Sequence, residues 1–156
     1  MSDRDMLRHT LATLAYRAGK ALRGAPESFA EFSTGEKGRT PAQILAHMGD
    51  LFDWAFSLCK GQQVWQDSTP LPWQEEIERC FAAIKIFDDY LASAAPLGYP
   101  PEKLFQGPIA DALTHTGQIA MLRRMAGSAI RGENYFKTEI EAGCVGLLQA
   151  DAVREF

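Results

Sequence analysis

Three side chains that can bind a divalent metal ion stand out in the sequence: His47, Asp111 and His115. Asp111 and His115 are four residues apart, which places them on one face of a helix. A carboxylate and an imidazole are costly to bury on a helix with little other charge, and a bound cation would compensate them. With His47 from an earlier helix, two imidazoles and one carboxylate leave coordination positions open for water or substrate, as catalytic zinc and non-haem iron sites do.

The same residues are also compatible with a protein that binds no metal. His115 would then donate a hydrogen bond to Asp111 on its own helix, and His47 would bond to a nearby carbonyl. Residue types and spacing alone leave both interpretations open. The remaining histidine, His9, lies opposite the apolar stripe of its helix, so we expect it to be exposed.

Two more residues could line or support such a site. Gln118 shares a helix face with His115, so it could orient a ligand or a bound water, and a bond to a neighbouring helix is the alternative. Trp54 follows His47 by one heptad and is expected in the core or in a pocket wall. The sequence identifies no general base, and it contains no nucleotide-binding or flavin-binding motif.

Asp88 lies on the apolar side of a predicted third helix. It could be the hydrogen-bond partner of a ligand histidine, or it could form a salt bridge with Lys85 or Arg79. The segment 132–136 could fold over the site, and a turn leading into a packed aromatic is the alternative. Arg123 is expected only to stabilise the end of its own helix through the helix dipole.

Hydrophobic residues recur at helical spacing in four segments, and these helices would position the site residues. Thr40 can cap the second of them, Pro41 suits its first turn, and Gln43 can complete a capping box. No segment shows the alternation of a strand, so the sequence predicts an all-α protein, a four-helix bundle with long crossover connections. The predicted helices cover about residues 3–24, 41–60, 73–95 and 107–126.

Three of these helices carry an apolar stripe that would face the core. The fourth, which is predicted to open at Gly107-Pro108, is charge-poor apart from Asp111 and His115, so we expect it in the middle of the bundle. Further glycines interrupt the tail after Gly127, and only a weak helix near its end is predicted. The stripes are Leu7, Leu11, Leu14, Ala18 and Leu22; Ile44, Met48, Leu51, Ala55 and Leu58; and Ile77, Phe81, Ile84 and Leu91.

Length and composition indicate one soluble domain over residues 1–156. The chain of 156 residues is 46% hydrophobic, which is enough for one core, and its net charge of −4 argues against nucleic acid as a partner. No apolar run is long enough to span a membrane, and none resembles a targeting segment. Cys59, Cys80 and Cys144 are widely spaced and are expected to be reduced core thiols, which favours a cytoplasmic protein.

Residues 40–48, Thr-Pro-Ala-Gln-Ile-Leu-Ala-His-Met, and residues 111–124 resemble the DinB-like family, which is named for damage-inducible members. The resemblance extends to the helix order and the long connections. It implies a four-helix bundle with a metal site of three histidines, one from the second helix and two from a His-x-x-x-His motif on a later helix. His47 matches the first of these ligands and His115 the last. Asp111 stands where the other histidine would be, which keeps a competent ligand and adds a negative charge.

The resemblance implies a metal-dependent enzyme whose ion, zinc, nickel or iron, is bound by His47, Asp111 and His115. The implied chemistry is transfer of a low-molecular-weight thiol, an isomerisation or a hydrolysis, in which the ion lowers the pKa of a bound thiol or water. The alternative is a non-catalytic stress-related or interaction protein, a homodimer that keeps the bundle and has a weakened metal site. Direct DNA binding, suggested only by the family name, conflicts with the acidic balance.

Overall fold

Four long helices form the framework of the protein, whose computed structural model describes residues 1–156. The first three are α1 (Asp3–Leu22), α2 (Pro41–Cys59) and α3 (Trp73–Ala92). The fourth combines α4 (Pro101–Leu104), a π-helical turn (Phe105–Ile109) and α5 (Ala110–Met125) without a break. Short 3₁₀ turns lie at Glu27–Glu31 and Tyr135–Lys137. No β-sheet is formed, so the all-α prediction is confirmed.

The start of α2 is the one that its sequence predicts. The Thr40 hydroxyl accepts a hydrogen bond from the Gln43 amide at 3.3 Å, and the Gln43 side chain accepts one from the Thr40 amide at 2.9 Å. A capping box of the same kind, formed by Ser2 and Asp5, opens α1. These reciprocal bonds satisfy amide groups that a helix start leaves free, so both boundaries are fixed locally. The position of His47 in the second turn of α2 follows from this start.

Each long helix packs against two others: α3 contacts α1 and α2, and α5 also contacts α1 and α2. The three predicted apolar stripes are buried between them, as their helical spacing requires. Phe29, in the connection between α1 and α2, packs edge-on against Trp73 with ring centroids 5.7 Å apart, so this connection is attached to the core. None of the helices combines the length and the apolar character of a membrane span.

The fourth helix begins earlier than predicted. Its expected start was Gly107-Pro108, whereas the helix starts at Pro101 and continues through Pro108. In a regular α-helix, proline lacks an amide hydrogen and clashes with the carbonyl four residues back. The π-helical turn widens the backbone at this point, so the chain accommodates Pro108 without ending the helix.

The helix α5 does not lie in the middle of the bundle, as its low charge suggested. It packs on α1 and α2, and the side chains of Thr114, Gln118, Met121 and Met125 are exposed. The low charge of α5 therefore reflects an outer face made of methionine and uncharged polar side chains. The predicted central position is wrong.

The tail after α5 contains no terminal helix, contrary to the prediction. An isolated antiparallel bridge between Glu133 and Glu155 joins its two ends. Cys144 is exposed in this tail and not in the core, whereas Cys59 and Cys80 are buried as predicted. Burial raises the pKa of the Cys59 thiol to about 11 and that of Cys80 to about 12, so neither supplies a thiolate at neutral pH.

Arg123 joins the ends of two helices, which corrects the expectation that it serves only its own. Its guanidinium donates to the carbonyl oxygens of Ala21 and Arg23 at the end of α1, at 3.1 and 2.7 Å. It also donates to the carbonyl of Ser128 at 2.9 Å. The last carbonyls of a helix carry partial negative charge, which explains why this cation can be buried without a carboxylate partner.

A buried carboxylate binds the tail to α1. The enclosed side chain of Glu133 accepts hydrogen bonds from the Lys20 ammonium and from the hydroxyls of Tyr16 and Thr138, each at 2.7 Å. Burial alone would raise the pKa of Glu133, but these three donors outweigh it and lower that pKa. Burial and the same carboxylate raise the pKa of Tyr16 to about 12.

We expect Glu133→Gln to lower the free energy of unfolding at neutral pH by about 2 kcal/mol, because a buried ion pair loses one partner. Because the pKa of Glu133 is depressed in the folded protein, its carboxylate contributes its full stabilisation above pH 4.5, the ordinary pKa of glutamate. This contribution is lost as the pH falls through the folded-state pKa. Urea unfolding should therefore show that the difference in unfolding free energy between Glu133→Gln and wild type shrinks as the pH falls from 4.5 through the folded-state pKa of Glu133. Glu139→Gln, at an exposed position in the same tail, is the control. A difference that does not change with pH would contradict this account.

Candidate metal centre

The packing of α5 on α2 brings the three predicted metal ligands together. Asp111 and His115 lie one turn apart on α5, and His47 faces them from α2. The Asp111 carboxylate reaches both imidazoles: Oδ2 is 3.4 Å from Nε2 of His47, and Oδ1 is 3.5 Å from Nε2 of His115. The two rings meet edge to face with centroids 4.8 Å apart. One potential ligand atom from each residue lies within 4.8 Å of the other two.

The two separations from the Asp111 oxygens to the imidazoles match ligands of one ion better than short hydrogen bonds, while the three ligand atoms together span up to 4.8 Å. N–H···O bonds in proteins are usually about 2.7–3.2 Å long, whereas atoms that bind one ion at about 2.0–2.2 Å lie about 3.0–3.5 Å apart. The two hydrogen bonds expected for a metal-free protein are both absent. His47 faces Asp111 and not a backbone carbonyl, and the closest polar contact of the His115 ring is with Gln118.

Gln118 contacts the imidazole of His115 from the same helix. Its side-chain oxygen lies 2.8 Å from Nδ1 of His115. Because this oxygen can only accept a hydrogen bond, the neutral ring carries its proton on Nδ1 and keeps the Nε2 lone pair free on the side of Asp111. Partners of this kind fix the tautomer of ligand histidines in metal sites. Gln118 can therefore orient His115, and whether His115 binds a metal stays a prediction.

The electrostatic environment keeps His47 neutral at neutral pH. Burial lowers the pKa of its imidazole, and repulsion from Arg39 and from a protonated His115 lowers it further, while Asp111 opposes the shift. A neutral imidazole offers its lone pair to a metal without first releasing a proton. His115 is buried, whereas 47% of the Asp111 side chain is exposed. The cluster therefore opens to solvent at Asp111.

Three grooves meet at the cluster, and each is lined by one of the three candidate ligands, after which we name it. The volumes are about 430 Å³ for the His47 groove, 410 Å³ for the Asp111 groove and 380 Å³ for the His115 groove. Small molecules can therefore approach the cluster from several directions. The His47 groove is also lined by Arg39, Gln43, Asp50 and Asp67; the Asp111 groove by Leu51, Trp54 and Gly107; and the His115 groove by Arg39, Ile44, Gln118, Met121 and Leu122.

Trp65 lies beside the cluster, although the sequence pattern did not single it out. Its ring centroid is 5.5 Å from that of His47 and 6.0 Å from that of Trp54, and both contacts are edge to face. Trp54 itself lines the Asp111 groove, in keeping with the expected pocket wall. Trp65 belongs to an irregular loop whose path no periodicity encodes. A tryptophan in a largely polar loop was the only signal that could have indicated it.

A buried ion cluster anchors the loop that carries this aromatic wall. Asp50, on α2, accepts hydrogen bonds from the amide and the hydroxyl of Ser68 at 2.9 and 2.6 Å, and it pairs with Arg79 of α3. Arg79 also donates to the buried Glu76 carboxylate at 2.7 Å. Burial opposes the charge on Arg79, but the two carboxylates outweigh it and raise its pKa. The loop is thereby held against α2, next to His47.

Two features that the sequence placed near the site lie elsewhere. Asp88 is buried, but its two oxygens accept hydrogen bonds from the Arg8 guanidinium of α1 at 3.0 and 3.1 Å. It is therefore neither the partner of a ligand histidine nor paired within its own helix. The segment 132–136 packs on α1 through Glu133 and does not cover the cluster. Both contacts join residues far apart in the chain, which helical spacing cannot encode.

Comparison with known proteins does not assign the cluster. No family model, no curated protein and no solved structure matches the chain. What the site can do therefore follows from its own donors, distances and exposure.

Proposed function

We propose that the protein is a metal-dependent enzyme of the DinB-like type, in which His47, Asp111 and His115 bind one divalent transition-metal ion, zinc, nickel or iron. The observation that carries the proposal is the convergence of three ligand atoms from two helices within 4.8 Å of one another. Two imidazoles and one carboxylate suit these ions and leave coordination positions for water or substrate. A DinB-like crossover topology and a cytoplasmic location, which suits three unpaired cysteines, belong to the same proposal.

Each residue of the cluster has a defined task. His47 and His115 supply neutral nitrogen ligands, and Gln118 orients the second of them. Asp111 adds the negative charge that stabilises a divalent cation, and its exposed side faces incoming substrate. A bound ion of this kind lowers the pKa of a water or a small thiol, which provides a nucleophile at neutral pH. Such chemistry supports thiol transfer, isomerisation or hydrolysis of a small molecule, including a low-molecular-weight thiol.

Metal content tests the proposal. Untagged protein is expected to hold about one equivalent of zinc, nickel or iron(II), as purified or after reconstitution, by elemental analysis. The His9→Ala variant should hold the same amount, because His9 is exposed on α1 and takes no part in the cluster. Thiol-transfer, isomerase and hydrolase assays then follow. Any activity should disappear on chelation and return when the ion is restored.

Failure to bind any of these ions, or manganese, would overturn the proposal. The rival function is that of a non-catalytic stress-related or interaction protein. One observation favours this rival: Met121 and Met125, one turn apart on α5, are each more than half exposed. Neighbouring exposed apolar side chains suit a contact surface. The mass in solution should then rise with concentration toward that of a homodimer.

A further inference from the structure

Arg39 is a cation beside the cluster that has no partner within the protein. It ends the connection between α1 and α2, directly before the capping residue Thr40. Its guanidinium forms no salt bridge and no hydrogen bond with the rest of the chain, although it lines both the His47 groove and the His115 groove. Its charge also reaches His47, whose pKa it helps to lower. An unpaired guanidinium where two grooves meet is available to bind a ligand.

The two grooves that Arg39 lines differ in charge. The His47 groove contains the exposed carboxylate of Asp67, which disfavours an anion, beside Asp50, whose charge is already paired with Arg79. No carboxylate lines the His115 groove, so Arg39 determines the sign of its charge. The wall of that groove is largely apolar and is formed by Ile44, Met121 and Leu122.

We infer that the His115 groove binds a small organic anion, with the carboxylate of the ligand on the Arg39 guanidinium and its apolar body along the groove wall. The inference rests on the proposed metal function, because the reacting group of the same molecule would lie at the cluster. A single guanidinium matches the single charge of a carboxylate and offers it two parallel hydrogen bonds. A phosphate dianion would leave charge unmatched in this groove. The substrate class is therefore a small carboxylic acid with an apolar segment.

Cobalt(II)-loaded protein allows a direct test, because a thiolate that binds cobalt produces an absorption band. The probes are pairs of thiols that differ only in charge: 3-mercaptopropionate and its amide, and 6-mercaptohexanoate and its amide. The two chain lengths allow for different distances between the metal ion and the Arg39 guanidinium. Wild-type protein is expected to bind the carboxylate of at least one pair about fivefold more tightly than the amide, since the guanidinium contact is solvent-exposed.

Variants at Arg39 assign that preference to one side chain. Arg39→Gln should reduce the ratio of the two affinities to about one, and Arg39→Lys should retain part of it, because the charge remains without the paired donors. Lys37→Gln is the matched control. It removes the same charge from the same connection, but Lys37 is exposed and lines none of the three grooves, so the preference should persist.

The outcomes separate this inference from the proposed function. A wild-type protein without any preference, or a preference that survives Arg39→Gln at both chain lengths, overturns the inference and leaves the metal site intact. Loss of the preference in Lys37→Gln as well would assign it to net charge and would also overturn the inference. A protein that binds none of zinc, nickel, iron(II), manganese and cobalt(II) overturns the metal proposal, and the inference with it.

Discussion

The His115→Ala variant is expected to lose at least about a hundredfold in affinity for zinc or nickel relative to wild type. The substitution removes one of two nitrogen ligands and leaves Asp111 and His47, on different helices, to hold the ion alone. His47→Ala should cause a loss of the same order. Affinity is measured by competition with a chromophoric chelator at fixed pH, because protons compete with the metal for imidazole.

Two further variants distinguish the loss of a ligand from indirect effects. His9→Ala removes an exposed histidine and should leave the affinity unchanged. Gln118→Ala should reduce the affinity about tenfold, because His115 keeps its nitrogen but loses the acceptor that fixes its tautomer. If His115→Ala binds zinc as tightly as wild type, the cluster is not the metal site and the proposed function fails.

Local features of the fold could be predicted from the sequence because neighbouring residues determine them. The capping box of Thr40 and Gln43 fixes the start of α2, and helical spacing predicts the buried faces of α1, α2 and α3. The four-residue spacing of Asp111 and His115 likewise predicts their common face. His9 is exposed, as its position opposite the apolar stripe predicted.

Contacts between distant segments could not be predicted in this way. Asp88 pairs with Arg8, from a helix that starts some seventy residues earlier than its own. Pro108 was also misleading, because proline usually marks a helix boundary and only the π-helical turn lets this helix continue. Trp65 and Arg39 reach the cluster from irregular connections, whose paths depend on tertiary contacts.

The approach of His47 to the pair on α5 is an intermediate case. Spacing shows that Asp111 and His115 share a face, but it does not show how α2 packs on α5. The residues allowed this packing without requiring it, and the resemblance to the DinB-like family, which stays a prediction, favoured it. The structure brings one ligand atom of each residue within 4.8 Å of the others.

The Asp50→Ala variant is expected to lower the free energy of unfolding by about 3 kcal/mol. Asp50 is 4% exposed, and its carboxylate binds Ser68 of the loop and Arg79 of α3 at once. Removing it deprives the Arg79 guanidinium of one of its two buried carboxylates and leaves the Ser68 amide without its acceptor. Urea unfolding should show a lower midpoint, and the slope of the unfolding free energy against urea concentration should not change.

Asp50→Ala should also weaken metal binding, because it releases the loop that packs against His47. Ser68 ties the loop to α2, and the loop carries Trp65, whose ring packs against His47. Once that tie is lost, the loop opens locally at low cost and the imidazole loses one of the contacts that hold its orientation. We therefore expect the affinity for zinc to fall about tenfold, as expected for Gln118→Ala, which also removes a group that orients a histidine.

Asp53→Ala is the matched control, because Asp53 lies on the same helix and 3.3 Å from the same guanidinium. Its side chain is 57% exposed, so water replaces the lost contact and the free energy of unfolding should change by less than about 0.5 kcal/mol. Equal destabilisation by the two variants would show that burial of Asp50 is unimportant. Destabilisation by Asp50→Ala without any loss of metal affinity would instead show that the anchored loop supports the fold and leaves His47 unaffected.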